Sequence, residues 1–313
     1  MAIPRSSALA LLFGGAVLGA AAAAQAQSQP LRIATIPIEP GAEVYFAKEM
    51  GFFAKAGVDA DIEQMKGGPA IGAALVSGAM DVGFLAVDAL AGIHRKGVPL
   101  VALAPGTEYV SPYTTQTAAL VVPANSTVQK AADLNGKTLA VISLSGLAHT
   151  AVRAWIDKNG GDSSTVKFVE IPPSAMAAAI ETNRVDAAQV AEPFVAAAKR
   201  SGRVLAYGFE SVAKAFLTTA WCSTAQWAND HAPLVESFIA AMNETAAWAN
   251  KNPQQSGAIL ATYLKLDPAV VSRMTRVRYT EQMTPALMQP LIDVTAKYDG
   301  FATFPAQDLI YAR

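Results

Sequence analysis

Cysteine, histidine and net charge are all scarce in this chain of 313 residues, and each scarcity removes a class of function. The single cysteine, Cys222, cannot close a disulfide within the chain or supply a cysteine-rich metal cluster. It stands in the apolar run Ala220-Trp221-Cys222, where a buried, inert thiol is expected. His94, His149 and His231 lie far apart, without the spacing of metal ligands. The chain lacks the G-x-G-x-x-G dinucleotide fingerprint, the G-x-x-x-x-G-K-[S/T] phosphate loop and the G-x-S-x-G nucleophile elbow. No enzyme, cofactor or metal is therefore expected. With 24 Lys and Arg against 25 Asp and Glu, the chain has no electrostatic footprint for nucleic acid or an acidic membrane. Past residue 26, no run is apolar for long enough to span a bilayer.

The N-terminus carries what the rest lacks. Arg5, the apolar run from Leu9 to Leu18 and the small-residue site Ala24-Gln25-Ala26 predict a Sec-type signal peptide over residues 1–26, with the mature chain starting at Gln27 and residing in the periplasm. No cysteine follows that site, so a lipid anchor is not expected.

The mature chain repeats a pattern. Ala74 to Asp88 answers to Ala179 to Pro193: a small-residue helix end, a Gly or Asn stop, an Asp (Asp81, Asp186) opening a short apolar strand, then a new helix start. The repeated Asp pair is expected to be structural. Two similarly wound α/β halves predict a cleft between them, suited to a small molecule. Around this pattern, strands are expected over Leu31–Ile36, 58–62, 99–104, 137–142 and 166–171, alternating with helices that imply a largely parallel sheet. Glu43 to Ala56 reads as one helix closed by Gly57, and Phe216 to Ser223 as one extended crossing between lobes. From Trp227 onward the signals are helical, chiefly Leu234–Asn250, Gln254–Leu264 and Pro285–Tyr298. Such a tail should pack on the first lobe. The expected division is residues 27–121 with 217–313 as lobe 1 and residues 122–216 as lobe 2.

Three segments then resemble a known family. Glu49-Met50-Gly51-Phe52-Phe53-Ala54-Lys55-Ala56-Gly57-Val58, Asp133-Leu134-Asn135-Gly136-Lys137-Thr138-Leu139-Ala140-Val141, and Val185-Asp186-Ala187 with Glu192-Pro193 are similar, in this order, to periplasmic substrate-binding proteins of nitrate, sulfonate and taurine ABC importers. The resemblance covers most of residues 31–215. It implies a bilobal type II fold, two mixed sheets flanked by helices, with the ligand trapped between lobes. It also implies a small-molecule ligand, an organic anion such as a sulfonate, and delivery by a monomer to an inner-membrane permease and ATPase. A nitrogen-containing or aromatic ligand, or a sensing role, remains open.

In such lobes the ligand lies beyond the carboxyl ends of the strands. That rule selects Glu39, Gly41 and Ala42 in one turn, Gly67 and Gly68 in the next loop, Ala86 and Asp88 at a helix start, and Ser143, Ser145 and Gly146 in the second lobe. Helix starts there could hold an anion, although Ser145 could merely cap its helix and Asp88 has a stronger capping alternative. His149 resembles the histidine of sulfonate-binding members and could donate to an oxyanion or be a surface group. Arg153, one turn on, could pair with an anion or make a surface ion pair. Glu192 could face the cleft, repelling an anion and accepting from an amine or hydroxyl, or bond across the lobes. Thr115 and Trp221, near the crossings, could enclose the ligand, with Trp221 as readily a core residue.

Overall fold

The computed structural model describes residues 29–312 except 113–116 and 145. The expected signal peptide, Thr115 and Ser145 lie outside the described residues.

From the N-terminus the chain runs β1 (Leu31–Thr35), α1 (Glu43–Glu49), α2 (Phe52–Lys55), β2 (Ala60–Gln64), α3 (Gly68–Val76), β3 (Val82–Ala86), α4 (Val87–His94), β4 (Leu100–Pro105) and β5 (Thr107–Val110). The second half-motif follows as β6 (Ala118–Pro123), β7 (Thr138–Val141), α5 (Leu147–Lys158), β8 (Lys167–Glu170), α6 (Pro173–Glu181), β9 (Ala187–Ala191), α7 (Val195–Ser201) and β10 (Gly202–Ala206). It then returns through β11 (Ala215–Leu217) and β12 (Thr219–Thr224) into α8 (Ala225–Asp230), α9 (Ala232–Lys251), α10 (Pro253–Leu264), α11 (Pro268–Val271), β13 (Arg278–Tyr279) and α12 (Pro285–Asp299).

Two five-stranded sheets result, in the orders β2-β1-β3-β12-β4 and β10-β6-β9-β7-β8. Each has a parallel part, β2-β1-β3 in one and β8-β7-β9 in the other, built from the repeated crossovers. Neither is largely parallel throughout. β12 runs antiparallel to β3 and β4, and β6 antiparallel to β9 and β10, because these strands carry the chain back between the halves. This α/β bilobe of two mixed sheets has a third, small antiparallel sheet, β11-β5-β13, which ties both crossings to the tail.

The repeated aspartates explain how each half begins. Asp81 Oδ2 accepts from the backbone N–H of Arg32 at 2.9 Å, and its carboxylate pairs with the Arg32 guanidinium. Asp186 Oδ2 accepts from the backbone N–H of Thr138 at 2.8 Å, with Lys137 Nζ 3.7 Å away. The same carboxylate thus pins the first parallel strand of each half from the start of its neighbour.

Two expected elements are divided. Gly51 adopts φ 75°, a left-handed conformation that glycine takes without a Cβ clash, and it separates α1 from α2. Thr218 separates β11 from β12, so the crossing serves two sheets. The tail helices α9 and α10 pack on α1, burying Phe46, Phe53, Phe238 and Leu260 in one apolar core. Cys222 is fully buried in the neighbouring core, where burial raises its thiol pKa and keeps it protonated. No helix among the described residues is long and apolar enough to cross a membrane.

Candidate functional site

A cavity of about 360 Å³ opens at the carboxyl ends of the strands, with walls from both sheets. The first sheet supplies Ile36 and Ile38 after β1, Phe84 and Ala86 of β3, and Thr219 of β12. The second supplies Ile142 and Ser143 after β7, Glu170 of β8, and Ala191 and Glu192 at the end of β9. Three helices begin at this cavity: α3 at Gly67 and Gly68, α4 at Ala86, and α5 at Gly146 and Leu147.

Their first turns are not equivalent. At α4, the Val87 N–H donates to Thr218 O at 3.1 Å and the Ala89 N–H to Asp88 Oδ1 at 2.9 Å, so that end is filled by the protein itself. At α3 and α5 no side chain caps the helix among the described residues. Gly146, the N-cap of α5, has φ 156°, which a side chain would strain, and a Cβ built there meets nothing within 4 Å. Pro69 in the first turn of α3 lacks an N–H and is preset for that position.

Of the expected site residues, Gly67, Gly68, Ala86, Ser143, Gly146 and Glu192 line the cavity. Six others do not. Glu39 is fully buried and turned away: its carboxylate pairs with Arg276 Nε and accepts from the Val277 N–H at 3.3 Å. Burial still raises its pKa, and the guanidinium opposes that rise. Gly41 packs against Ile36 with no room for a Cβ, and its carbonyl accepts from Thr35 Oγ1 at 2.6 Å. Ala42 is buried in the core beneath α1. Trp221 lies one step deeper along β12 than Thr219, fully buried against Phe84 at a ring separation of 5.3 Å, with Nε1 donating to Glu43 Oε2 at 2.7 Å. It is not among the residues that line the cavity.

His149 and Asp88 are engaged beside the cavity. His149 Nδ1 lies 2.8 Å from Leu144 O, and a carbonyl oxygen can only accept, so Nδ1 carries the proton. Burial and the Arg153 charge lower its pKa, which leaves a neutral ring at pH 7 rather than a cation for an oxyanion. Asp88 Oδ2 accepts from Thr150 Oγ1 of α5 at 3.2 Å, so this carboxylate joins the two halves. Arg153, also on α5, donates to Tyr298 O at 3.0 Å and stands 3.6 Å from Asp299 at the end of α12. It serves this junction.

Desolvation raises Asp88 to about 7, against which its bonds to Ala89 and Thr150 work. A carboxyl whose folded pKa exceeds its unfolded one binds more protons when folded. Stability should therefore fall as pH rises from about 4 to about 7 and level above that. Asp88→Asn, which keeps an acceptor for Ala89, should remove this contribution to the slope in urea titrations across that range. An unchanged slope would show that Asp88 ionises freely.

Glu192 is the polar group most exposed to consequence. Oε1 accepts from the Thr275 N–H at 3.3 Å, bonding the second sheet to the tail, while Oε2 is buried in the cavity wall without a hydrogen-bond partner among the described residues. Desolvation raises its pKa to about 7, the Thr275 bond opposing and the Glu39 charge adding. Sequence reasoning missed most of the apolar wall, including Phe84, Tyr109, Ile142, Phe209 and Val277. These read as ordinary core, and Val277 belongs to the tail that was expected only to pack. Lys66 adjoined the chosen Gly67 and could have been found from that loop.

An α/β bilobe with a cavity at the strand ends between two mixed sheets is the architecture of periplasmic binding proteins. The structure resembles the periplasmic aliphatic sulphonate binding protein of Escherichia coli, with TM-score 0.71 and 20% identity over 90% of this chain and 92% of that one. It also resembles the periplasmic nitrate-binding protein of Synechocystis, with TM-score 0.66 and 18% identity over 77% and 68%. The chain belongs to the NMT1/THI5-like family, whose profile matches residues 41–256. In sequence it is 26% identical over 250 residues to a protein of Brucella abortus named as a binding protein, covering 79% of this chain and 75% of that one. It is 28% identical over 230 residues to the taurine-binding periplasmic protein of Escherichia coli, covering 73% and 65%. Its named relatives are binding proteins, not enzymes.

Proposed function

We propose that this protein is the solute-binding component of an ABC importer, exported to the periplasm by residues 1–26, and that it captures a small organic anion by lobe closure. The lobes are residues 27–121 with 217–313 and residues 122–216. The protein acts as a monomer and hands its ligand to an inner-membrane permease and ATPase. The observation that carries this reading is the pair of helix starts with no side-chain cap among the described residues, α3 from one half and α5 from the other, opening on one cavity. Each offers N–H groups and a positive dipole end, worth ~0.3–1 kcal/mol to an exposed charge and more in a water-poor cavity. An anion touching both stabilises the closed state over the open one, which is the differential contact that closure requires. The relatives named for sulphonate, nitrate and taurine support an anionic ligand. Small-angle scattering should show a more compact particle with saturating ligand. An unchanged profile would sink the closing mechanism.

A second reading rests on Glu192. Its unpartnered Oε2 suits a ligand that carries an amine or other donor as well as an anion. Glu192→Gln should strengthen binding of a simple anion and weaken binding of an aminated one, read by calorimetric titration. The pKa of about 7 sets the pH dependence. Above it the charged carboxylate repels an anion, so the gain from Glu192→Gln should be larger at pH 8 than at pH 6.

A further inference from the structure

We infer that the ligand carries an aromatic ring as its apolar body, with a single anionic group at the helix starts; this rests on the anion-binding reading and narrows its ligand class. Size is the first ground. At about 360 Å³ the cavity falls in the range of small-molecule pockets, roughly 300–1,000 Å³. Nitrate or a two-carbon sulfonate would leave most of that space unfilled, and an apolar space left unfilled forfeits its contacts.

The walls give the second ground. Phe84, Tyr109 and Phe209 line the cavity from separate elements, Phe209 half-buried and the other two buried. Phe84 lies in β3 of the first sheet, Tyr109 in β5 between the halves, and Phe209 in the turn Gly208–Ser211 that follows β10 of the second. Tyr109 and Phe209 already meet edge to face, with centroids 5.9 Å apart and planes at 79°. Ile38, Ile142 and Val277 extend the apolar surface. Rings favour offset or edge-to-face ring partners over alkyl ones of equal area. A rigid ring also has no chain torsions to freeze on enclosure, which an alkyl tail of that length does.

Charge is the third ground. Among the described lining residues Lys66 is the one cation, no arginine is present, and Glu108, Glu170 and Glu192 are carboxylates. Glu108 pairs with Arg278, and Glu170 accepts from the Leu144 N–H at 2.7 Å, so these two are committed to the protein. This set fits a single carboxylate or sulfonate at the starts of α3 and α5. It does not fit a phosphate ester or a polyanion, for which a bidentate arginine or several cations would be needed.

The test is calorimetric titration of the mature full-length chain with five probes: benzoate, benzenesulfonate, hexanesulfonate, taurine and nitrate. At least one ring-bearing probe should bind tenfold or more tightly than every ring-free one. Phe209→Ala should weaken that probe tenfold or more, and Phe209→Leu, which keeps apolar bulk without the ring, should weaken it less, both with thermal midpoints near the parent's. If Phe209→Ala does not fold, Phe209→Leu alone must still weaken the ring-bearing probe more than hexanesulfonate. A ring-free anion bound as tightly as the ring-bearing ones overturns the inference and leaves the anion-binding reading intact. Binding of the ring-bearing probe unchanged in both variants also overturns it. Failure of all five probes to bind the parent chain overturns both.

Discussion

Trp221→Ala should lower the urea midpoint sharply, with a stability loss of about 3–5 kcal/mol. The indole is fully buried between Phe84 and Phe238, with ring centroids 5.3 and 6.4 Å away, so its removal leaves a cavity that packed neighbours fill only in part. It is also the donor to Glu43, whose other oxygen is already without a partner. Burial holds the Glu43 carboxyl well above the ordinary carboxylate range, and the indole bond opposes that rise. Trp221→Phe separates the two effects. It restores most of the volume and keeps the deletion of the donor, so it should cost about 1–3 kcal/mol. Because Trp221 lies below the cavity, folded Trp221→Phe should bind ligand as the parent does. A tenfold loss of affinity in that variant would return the indole to the binding site.

Arg276→Ala should cost about 3–5 kcal/mol, the usual consequence of deleting one partner of a buried ion pair. The guanidinium pairs with the fully buried Glu39, donates to Pro253 O at 2.7 Å and to Ser256 Oγ at 3.2 Å, and so links α10 of the tail to Glu39 of the first lobe. Without it, the Glu39 pKa should rise further, since the arginine charge is what restrains it. The sign of the pH effect follows. The loss is smaller at low pH, where the carboxyl is protonated, and grows as pH rises and ionisation of an unpaired buried group is resisted. Glu39→Gln in the Arg276→Ala background should recover part of the loss, and the double-mutant cycle measures the coupling. Strictly additive effects would show that the pair contributes nothing.

The sequence was legible where local chemistry decides structure. Asp81 and Asp186 stand before apolar strands in matching positions, and both turn out to pin the first strand of a half. The alternation of strands and helices marked out two α/β halves, and the strand-end rule brought Gly67, Gly68, Ala86, Ser143, Gly146 and Glu192 to one cavity. What was not legible depends on partners remote in sequence. Glu39 leaves the cleft because Arg276, 237 positions away, takes its carboxylate. Trp221 sits at a strand level that no local pattern reveals, since an aromatic in an apolar run reads alike one step above or below the cavity floor. His149 is kept neutral by burial and by the charge of Arg153, and its Nδ1 is held by Leu144 O rather than left to meet an anion. The aromatic wall was hidden for the opposite reason, because cavity and core use the same residues.

Helix α5 ends up with two duties on one rigid rod. Its first turn stands at the cavity, and its second bonds through Thr150 and Arg153 to Asp88, Tyr298 and Asp299 of the other half. Because both ends belong to one helix, affinity should depend on the junction as well as on the pocket. A substitution at Asp299, which lines no part of the cavity, changes the fraction of molecules whose α5 is seated. Apparent affinity then falls in proportion to that fraction, with every ligand contact left in place.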